Sequence, residues 1–226
     1  MDFVLPLPTP RSLPVMGRSA RFPIARVFCI GRNYRWRDDE PAPQEMPAWF
    51  MKPATAVDDA GEALPYPPGT EDFCHEVELV AAIGRAGRDI DPARALEYVW
   101  GYAVGLDMTR RDLQQQAKRV GGPWEPAKAF DHAAPCSAVV PAEMCGHPQS
   151  GTIRLTVNHA ERQRADVSEL LWPVPELVAM LSRSVALMPG DLIFTGTPAG
   201  VGPVQRGDRV HASVAGIGEI ALTVTG

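Results

Sequence analysis

Apolar residues along the chain fall mostly into short runs bounded by glycine, proline and charged stretches, a rhythm of strands more than of helices. Residues 24–30, with Val27, Phe28 and Ile30, read as a short buried strand that ends at Gly31. Residues 75–84 and 99–107 read as two more, and residues 153–157 alternate as a fourth. Asp91-Pro92 predicts a helix start, because aspartate caps free N–H groups and proline, which lacks one, suits the first helical position. Thr109 with Asp112 three residues on predicts a capped helix through about Arg119. After Pro173 and Pro175, the spacing of Glu176, Leu177, Met180, Leu181 and Leu187 predicts an amphipathic helix that stops at Pro189-Gly190. In residues 191–226 apolar stretches alternate with glycine-rich turns, which predicts antiparallel pairing. The expected class is α+β, dominated by strands with a few short helices.

Two segments depart from this rhythm. Pro6, Pro8, Pro10 and Pro14 remove N–H donors and fix φ, so residues 1–20 are expected to be an arm, neither helix nor central strand. Residues 32–48 are polar, crowded with charge and broken by Pro41, Pro43 and Pro47. A loop of that length inside a compact domain is usually functional or disordered, and here it is a candidate lid. The rest, residues 21–226, is read as one domain with one active site.

Composition narrows the function classes. Hydrophobic residues at 45% and charged residues at 22% describe a folded domain. The formal net charge is −5 and the basic residues are scattered, so no footprint for nucleic acid or an anionic membrane is present. The longest apolar runs fall short of a membrane span, and no basic segment precedes an apolar one at the N-terminus, so a cytoplasmic location is expected. Cys29, Cys74, Cys136 and Cys145 form no CxxC pair and read as free thiols; Cys145 and His147 lack the further ligands of a zinc site.

The chemistry-bearing positions are few. Glu76 and Glu78 lie two apart in a strand, so both side chains leave one face, about 7 Å apart at the backbone. Val77, Leu79 and Ala81 face the other way into a core. Two readings stay open: a strand with one solvent face, or two carboxylates converging on a cation that relieves their mutual repulsion. Asp107 closes a strand just before a helix, as a third ligand or an ordinary capping aspartate. Three carboxylates would suit Mg²⁺ or Mn²⁺, which prefer hard oxygen ligands. Lys128, in an apolar setting, is either a surface chain or a working cation. The string Thr195-Gly196-Thr197-Pro198-Ala199-Gly200-Val201-Gly202 offers hydroxyls and N–H groups suited to a carboxylate, and matches neither the phosphate-binding loop nor the dinucleotide fingerprint.

Six segments taken in order resemble the fumarylacetoacetate hydrolase family: Cys29-Ile30-Gly31-Arg32-Asn33-Tyr34, Phe50-Met51-Lys52-Pro53, His75-Glu76-Val77-Glu78-Leu79, Gly105-Leu106-Asp107-Met108-Thr109-Arg110-Arg111-Asp112, Lys128-Ala129-Phe130-Asp131 and the Thr195 to Gly202 string. The nearest likeness is to its acylpyruvase and fumarylpyruvate hydrolase branch. The resemblance implies a mixed β-roll, a homodimer and a Mg²⁺ or Mn²⁺ site held by Glu76, Glu78 and Asp107. It implies Lys128 as a catalytic cation and Arg32, Arg111, Gln114 and Thr197 as substrate contacts. The chemistry implied is cleavage of the C–C bond of a 2,4-dioxo acid through a metal-bound enolate.

The lid departs from the family pattern. It reads Arg32-Asn33-Tyr34-Arg35-Trp36-Arg37-Asp38-Asp39-Glu40-Pro41, and Arg37 stands where the family's histidine falls. Arginine stays protonated and cannot act as a base. Glu40 is either the surviving half of the base or a solvated loop residue, and Arg35 or Arg37 is either solvated or a grip for a distal carboxylate. None of the histidines, 75, 132, 147, 159 and 211, is assigned to catalysis, and His75 points to the core. Three functions follow: the hydrolase; an oxaloacetate decarboxylase or keto–enol tautomerase, which needs no water nucleophile; and a non-catalytic protein that binds 2-oxo acids.

Overall fold

The aliphatic runs Val27–Ile30, Val77–Ile83, Val99–Leu106 and Leu192–Phe194 become strands covered on both faces. The computed structural model describes residues 3–6, 9–35 and 45–226. In chain order the strands begin with β1 (Ser12–Val15), β2 (Arg18–Pro23), β3 (Val27–Ile30), β4 (Trp49–Lys52), β5 (Val57–Asp59) and β6 (Ala63–Pro65). There follow β7 (Phe73–His75), β8 (Val77–Ile83), a 3₁₀ helix (Pro92–Tyr98), β9 (Val99–Leu106) and β10 (Thr109–Arg110). Next come α1 (Arg111–Val120), α2 (Glu125–Lys128), β11 (Ala134–Cys136), β12 (Val140–Pro141) and α3 (Ala142–Cys145). The chain continues with β13 (Thr152–Val157), β14 (Ala160–Asp166), α4 (Val174–Ser184), β15 (Leu192–Phe194), β16 (Gly202–Pro203), β17 (Arg209–Val214) and β18 (Gly218–Thr225).

The main sheet runs β4-β3-β15-β8-β9-β11-β5, with β12 also paired to β9. It is mixed: β15 pairs parallel with β3 and antiparallel with β8. A second sheet runs β14-β13-β17-β18-β6, and a small one runs β10-β7-β16. Leu79, Ala81, Tyr102 and Val104 on one face of the main sheet join Leu155, Ala212, Ile220 and Leu222 of the second sheet in one core. Val80, Ala82, Ala103, Leu192 and Phe194 on the opposite face join Leu13, Val15, Phe22 and Ile24 in another. The result is the strand-dominated, curled β-roll that the resemblance implies.

Several local expectations are corrected. The expected arm contains neither helix nor central strand among the described residues, but residues 12–23 do fold: β1 and β2 form an antiparallel hairpin outside the main sheet, with Leu13 fully buried, and residue 20 falls within β2. Pro14 fits because the hairpin stands as a two-stranded unit outside the main sheet, where a missing N–H breaks no central ladder. That hairpin also covers the face of β8 that could have met solvent, so Glu78 lies in a strand buried on both sides. The strand expected over residues 75–84 is interrupted at Glu76. Thr109 caps no helix; it pairs with Cys74, and Asp112 accepts instead from the Thr70 hydroxyl at 2.6 Å. Asp91 does cap, accepting from the Ala93 N–H at 3.0 Å, though the element is a 3₁₀ helix. The last long helix stops at Ser184, because Val185 is extended and Leu187 bridges to Gly87. The tail strands β17 and β18 pair antiparallel as expected, whereas β15 leaves them for the main sheet. Arg37, Glu40 and most of the candidate lid lie outside the described residues. No described helix is long and apolar enough to cross a membrane.

Candidate active site

Three carboxylates meet where β7, β8 and β9 end. Glu76 occupies the break between β7 and β8, and its carbonyl accepts the Asp107 N–H at 2.8 Å, which ties the two acidic residues together through backbone. Glu78, the second residue of β8, stands opposite Gly105 on β9. Glu76, Glu78 and Asp107 are 7%, 1% and 2% exposed, and each offers an oxygen within 4.8 Å of the others.

Two buried lysines complete the cluster. Lys128, at the end of α2, donates to Glu76 Oε2 and Asp107 Oδ2, each at 2.8 Å. At 2% exposure it is not a surface chain. Lys52, the last residue of β4, places Nζ 2.8 Å from Asp107 Oδ1 and donates to the carbonyls of Met108, at 3.2 Å, and Lys128. Asp107 Oδ1 takes the Lys52 ion pair without a well-aligned hydrogen bond.

The electrostatics follow from burial. Burial, then the charges of Asp107 and Glu76, pushes the Glu78 carboxyl well above its usual range. Burial acts on Asp107 in the same sense, but Lys128 and Lys52 outweigh it and hold that carboxyl below the ordinary value. Lys128 resists the loss of solvent because Asp107 and Glu76 hold its ammonium charged. An all-oxygen donor set within 4.8 Å and a carboxyl that resists ionising without another cation together fit a hard divalent ion.

The loop after β15 braces this centre. The Gly196 N–H donates to Glu78 Oε2 at 2.7 Å. Gly196 has φ of 103°, and a Cβ there would lie 2.7 Å from the Asn33 Cβ, so glycine is required twice over. Asn33 pins the same loop by donating to the Thr195 carbonyl at 2.8 Å and the Trp172 carbonyl at 2.9 Å.

Arg32, Arg111, Gln114 and Thr197 line the same cavity as the three carboxylates, so the picked residues that lie among the described ones converge. Arg111 donates to Gln114 Oε1 at 2.8 Å and lies 3.6 Å from Glu76 Oε1. His75 is buried, as expected, and does not line the cavity. His147 pairs with the Tyr102 hydroxyl at 2.8 Å.

Sequence reading missed Lys52 and Lys118. The signal for Lys52 was its place beside aromatic and apolar residues in the Phe50 to Pro53 segment. Lys118 lines the cavity mouth over the Trp124 ring, 5.1 Å from its centroid, and Trp124 packs on Phe50 at 5.6 Å. Partial burial, then Arg111 and Arg32, lowers the Lys118 pKa.

A curled mixed sheet thus carries a buried carboxylate triad at its strand ends. Residues 26–225 match the family described as fumarylacetoacetate (FAA) hydrolase C-terminal, and the chain belongs to that family. It is 44% identical over 180 residues to fumarylpyruvate hydrolase of a Ralstonia species, covering 80% of this chain and 93% of the relative. It is 39% identical over 198 residues to oxaloacetate tautomerase YcgM of Escherichia coli K12, covering 86% of this chain and 90% of the relative. The crystal structure of fumarylpyruvate hydrolase from Pseudomonas aeruginosa in complex with Mn²⁺ and pyruvate superposes with a TM-score of 0.96, at 45% identity and 99% coverage of each chain.

Proposed function

We propose that this protein is a divalent-metal-dependent hydrolase that cleaves the C–C bond of a 2,4-dioxo acid of the acylpyruvate or fumarylpyruvate type. The observation that carries the reading is the buried triad of Glu76, Glu78 and Asp107 with Lys128 between two of its members. Likeness to fumarylpyruvate hydrolases over nearly the whole chain supports the substrate class.

Glu76, Glu78 and Asp107 would hold Mg²⁺ or Mn²⁺, which when bound supplies Lewis acidity toward the 2-oxo group. Arg111, Gln114 and Thr197 receive the carboxylate of the 2-oxo acid end. Lys128, held by Asp107 and Glu76, is placed as a fixed cation opposite negative charge that develops on the substrate. Arg32 and Lys118 at the mouth suit a second, distal carboxylate. A base for water must come from elsewhere, and Glu40 is the candidate. The reading includes the cytoplasmic location expected from the sequence and a homodimer, which the family resemblance implies.

A keto–enol tautomerase or decarboxylase acting on oxaloacetate is the second reading. The absence of histidine from residues 32–48 favours it, as does likeness to oxaloacetate tautomerases. One assay separates the two: follow the ultraviolet absorbance of fumarylpyruvate and an acylpyruvate panel beside oxaloacetate tautomerisation and decarboxylation, with Mn²⁺ or Mg²⁺, for wild type and Glu40→Gln. Hydrolysis that collapses in the variant supports the first reading; oxaloacetate turnover alone, indifferent to Glu40, supports the second. Silence on every substrate with the metal bound defeats both and leaves a binding protein.

A further inference from the structure

Thr197 lines the cavity beside the three carboxylates, and its hydroxyl is held from behind by a residue of the second sheet. Gln163, on β14 and 1% exposed, donates through Nε2 to Thr197 Oγ1 at 2.7 Å and to the Pro198 carbonyl at 2.9 Å. Its Oε1 accepts the Val77 N–H at 3.1 Å and meets His75 Nδ1 at 2.9 Å. A backbone N–H only donates and a backbone carbonyl only accepts, so Val77 and Pro198 fix which end of the amide faces which way. His75 Nδ1, facing the oxygen end, therefore carries its ring proton. All four hydrogen-bonding positions of the amide are used, so the group has no alternative orientation of comparable quality.

The consequence falls on Thr197. Its oxygen already accepts from Gln163, and among the described residues no acceptor takes its single proton. We propose that Gln163 is a positioning residue that compels Thr197 to donate its hydroxyl proton toward the carboxylate end of a bound 2-oxo acid. The inference rests on the reading of Thr197 as a substrate contact made above. Gln163 also ties that contact to the Val77 N–H, beside both Glu76 and Glu78, so one side chain registers the substrate hydroxyl against the carboxylate strand.

Gln163→Glu tests the polarity of the bond. The shape is kept, but both ends now accept, so the Thr197 proton is drawn back to residue 163 and away from substrate. The expected result is a KM for the oxo acid raised about 10- to 100-fold with kcat within about twofold, since a bond to a charged ligand made in both ground and transition states is lost. Pyruvate binding to the Mn²⁺-loaded protein, read by calorimetry, should weaken in parallel. Gln163→Met removes the orienting bond without reversing it and should raise KM less than Gln163→Glu does.

The decisive arm is a double-mutant cycle: in a Thr197→Ala background neither change at 163 should weaken binding further. Additive losses, or a fall in kcat with KM and pyruvate affinity unchanged, overturn the inference while leaving the proposed function intact. If Gln163→Glu does not fold, the cycle with Gln163→Met decides by the same criterion. Wild-type protein that neither turns over an oxo acid nor binds pyruvate removes Thr197 as a substrate contact, and the inference falls with it.

Discussion

The Lys52 ammonium lies 2.8 Å from Asp107 Oδ1, with both side chains out of solvent. A buried charge that loses its partner is left uncompensated, at a typical cost of about 3–5 kcal/mol. Asp107 would keep its Lys128 partner, so Lys52→Met is expected to destabilise the metal-free protein by only part of that amount. Saturating Mn²⁺ should recover much of the loss, because the ion supplies positive charge to the same carboxylate. Denaturant unfolding with and without Mn²⁺ checks this; a loss that the metal leaves unchanged would mean that Lys52 acts through packing alone.

The ligand set makes a second prediction. A ligand at 100 times its dissociation constant stabilises the state it binds by about 2.7 kcal/mol. Wild type should gain that with Mn²⁺, and Glu76→Gln, Glu78→Gln and Asp107→Asn should gain almost nothing. Glu78→Gln has an opposite effect without metal: burial and two neighbouring carboxylates penalise the Glu78 charge, so the neutral amide should leave the metal-free protein as stable or more so. Glu78→Gln that markedly destabilises the metal-free protein would contradict the crowding described here.

Lys118 carries the pH dependence. Its pKa is lowered by partial burial and by Arg111 and Arg32, so on raising the pH it loses its proton before an ordinary lysine does. The mouth then loses one cation, and KM for a dicarboxylate substrate should climb on the alkaline side. Lys118→Arg, which stays charged throughout, should flatten that limb, and Lys118→Met should raise KM at every pH. Profiles of KM against pH for the three proteins give the answer. A monocarboxylate acylpyruvate should show little of the effect.

Gly196 is the tightest backbone position of the site. Its φ of 103° and the 2.7 Å approach of Asn33 predict that Gly196→Ala forces the loop away from Glu78. Strain of this kind costs about 1–3 kcal/mol, and the lost N–H donor should weaken Mn²⁺ binding as well. Calorimetric titration of Mn²⁺ beside thermal unfolding measures both; unchanged affinity would show that the Gly196 N–H does not orient its carboxylate.

How far the sequence could be read depended on the range of the interaction. Strand spacing put Glu76 and Glu78 on one face and Asp107 at a strand end but left their role open; the ordered motifs supplied the metal-ligand reading, with Lys128 and Thr197. The hairpin of residues 12–23 was illegible, since proline argues against strands locally while Leu13, Val15 and Phe22 are recruited by a face of β8 far along the chain. The same cause hid the burial of Glu78. Thr109 and Asp112 carried a sound local signal that lost to tertiary partners, Cys74 and Thr70. Lys52 has no periodic signature at all, because what defines it is a carboxylate 55 positions away in the chain.

The parallel partnership of β15 with β3 sets Leu192 beside Val27 and slots β15 against β8 as well. During synthesis on the ribosome that strand emerges long after the residues it joins, so Glu76 and Glu78 exist for most of translation without the Thr195–Gly196 loop that braces them. Pairings this distant in sequence form slowly, because the chain entropy is lost before the contacts are made. On the proposed function, ion capture is thus expected late in biogenesis, an inspection stamp on the finished sheet in place of a seed for it. A nascent chain arrested before Leu192 is expected to retain no Mn²⁺ through dialysis, and one that retained it tightly would place the ion at the start of folding.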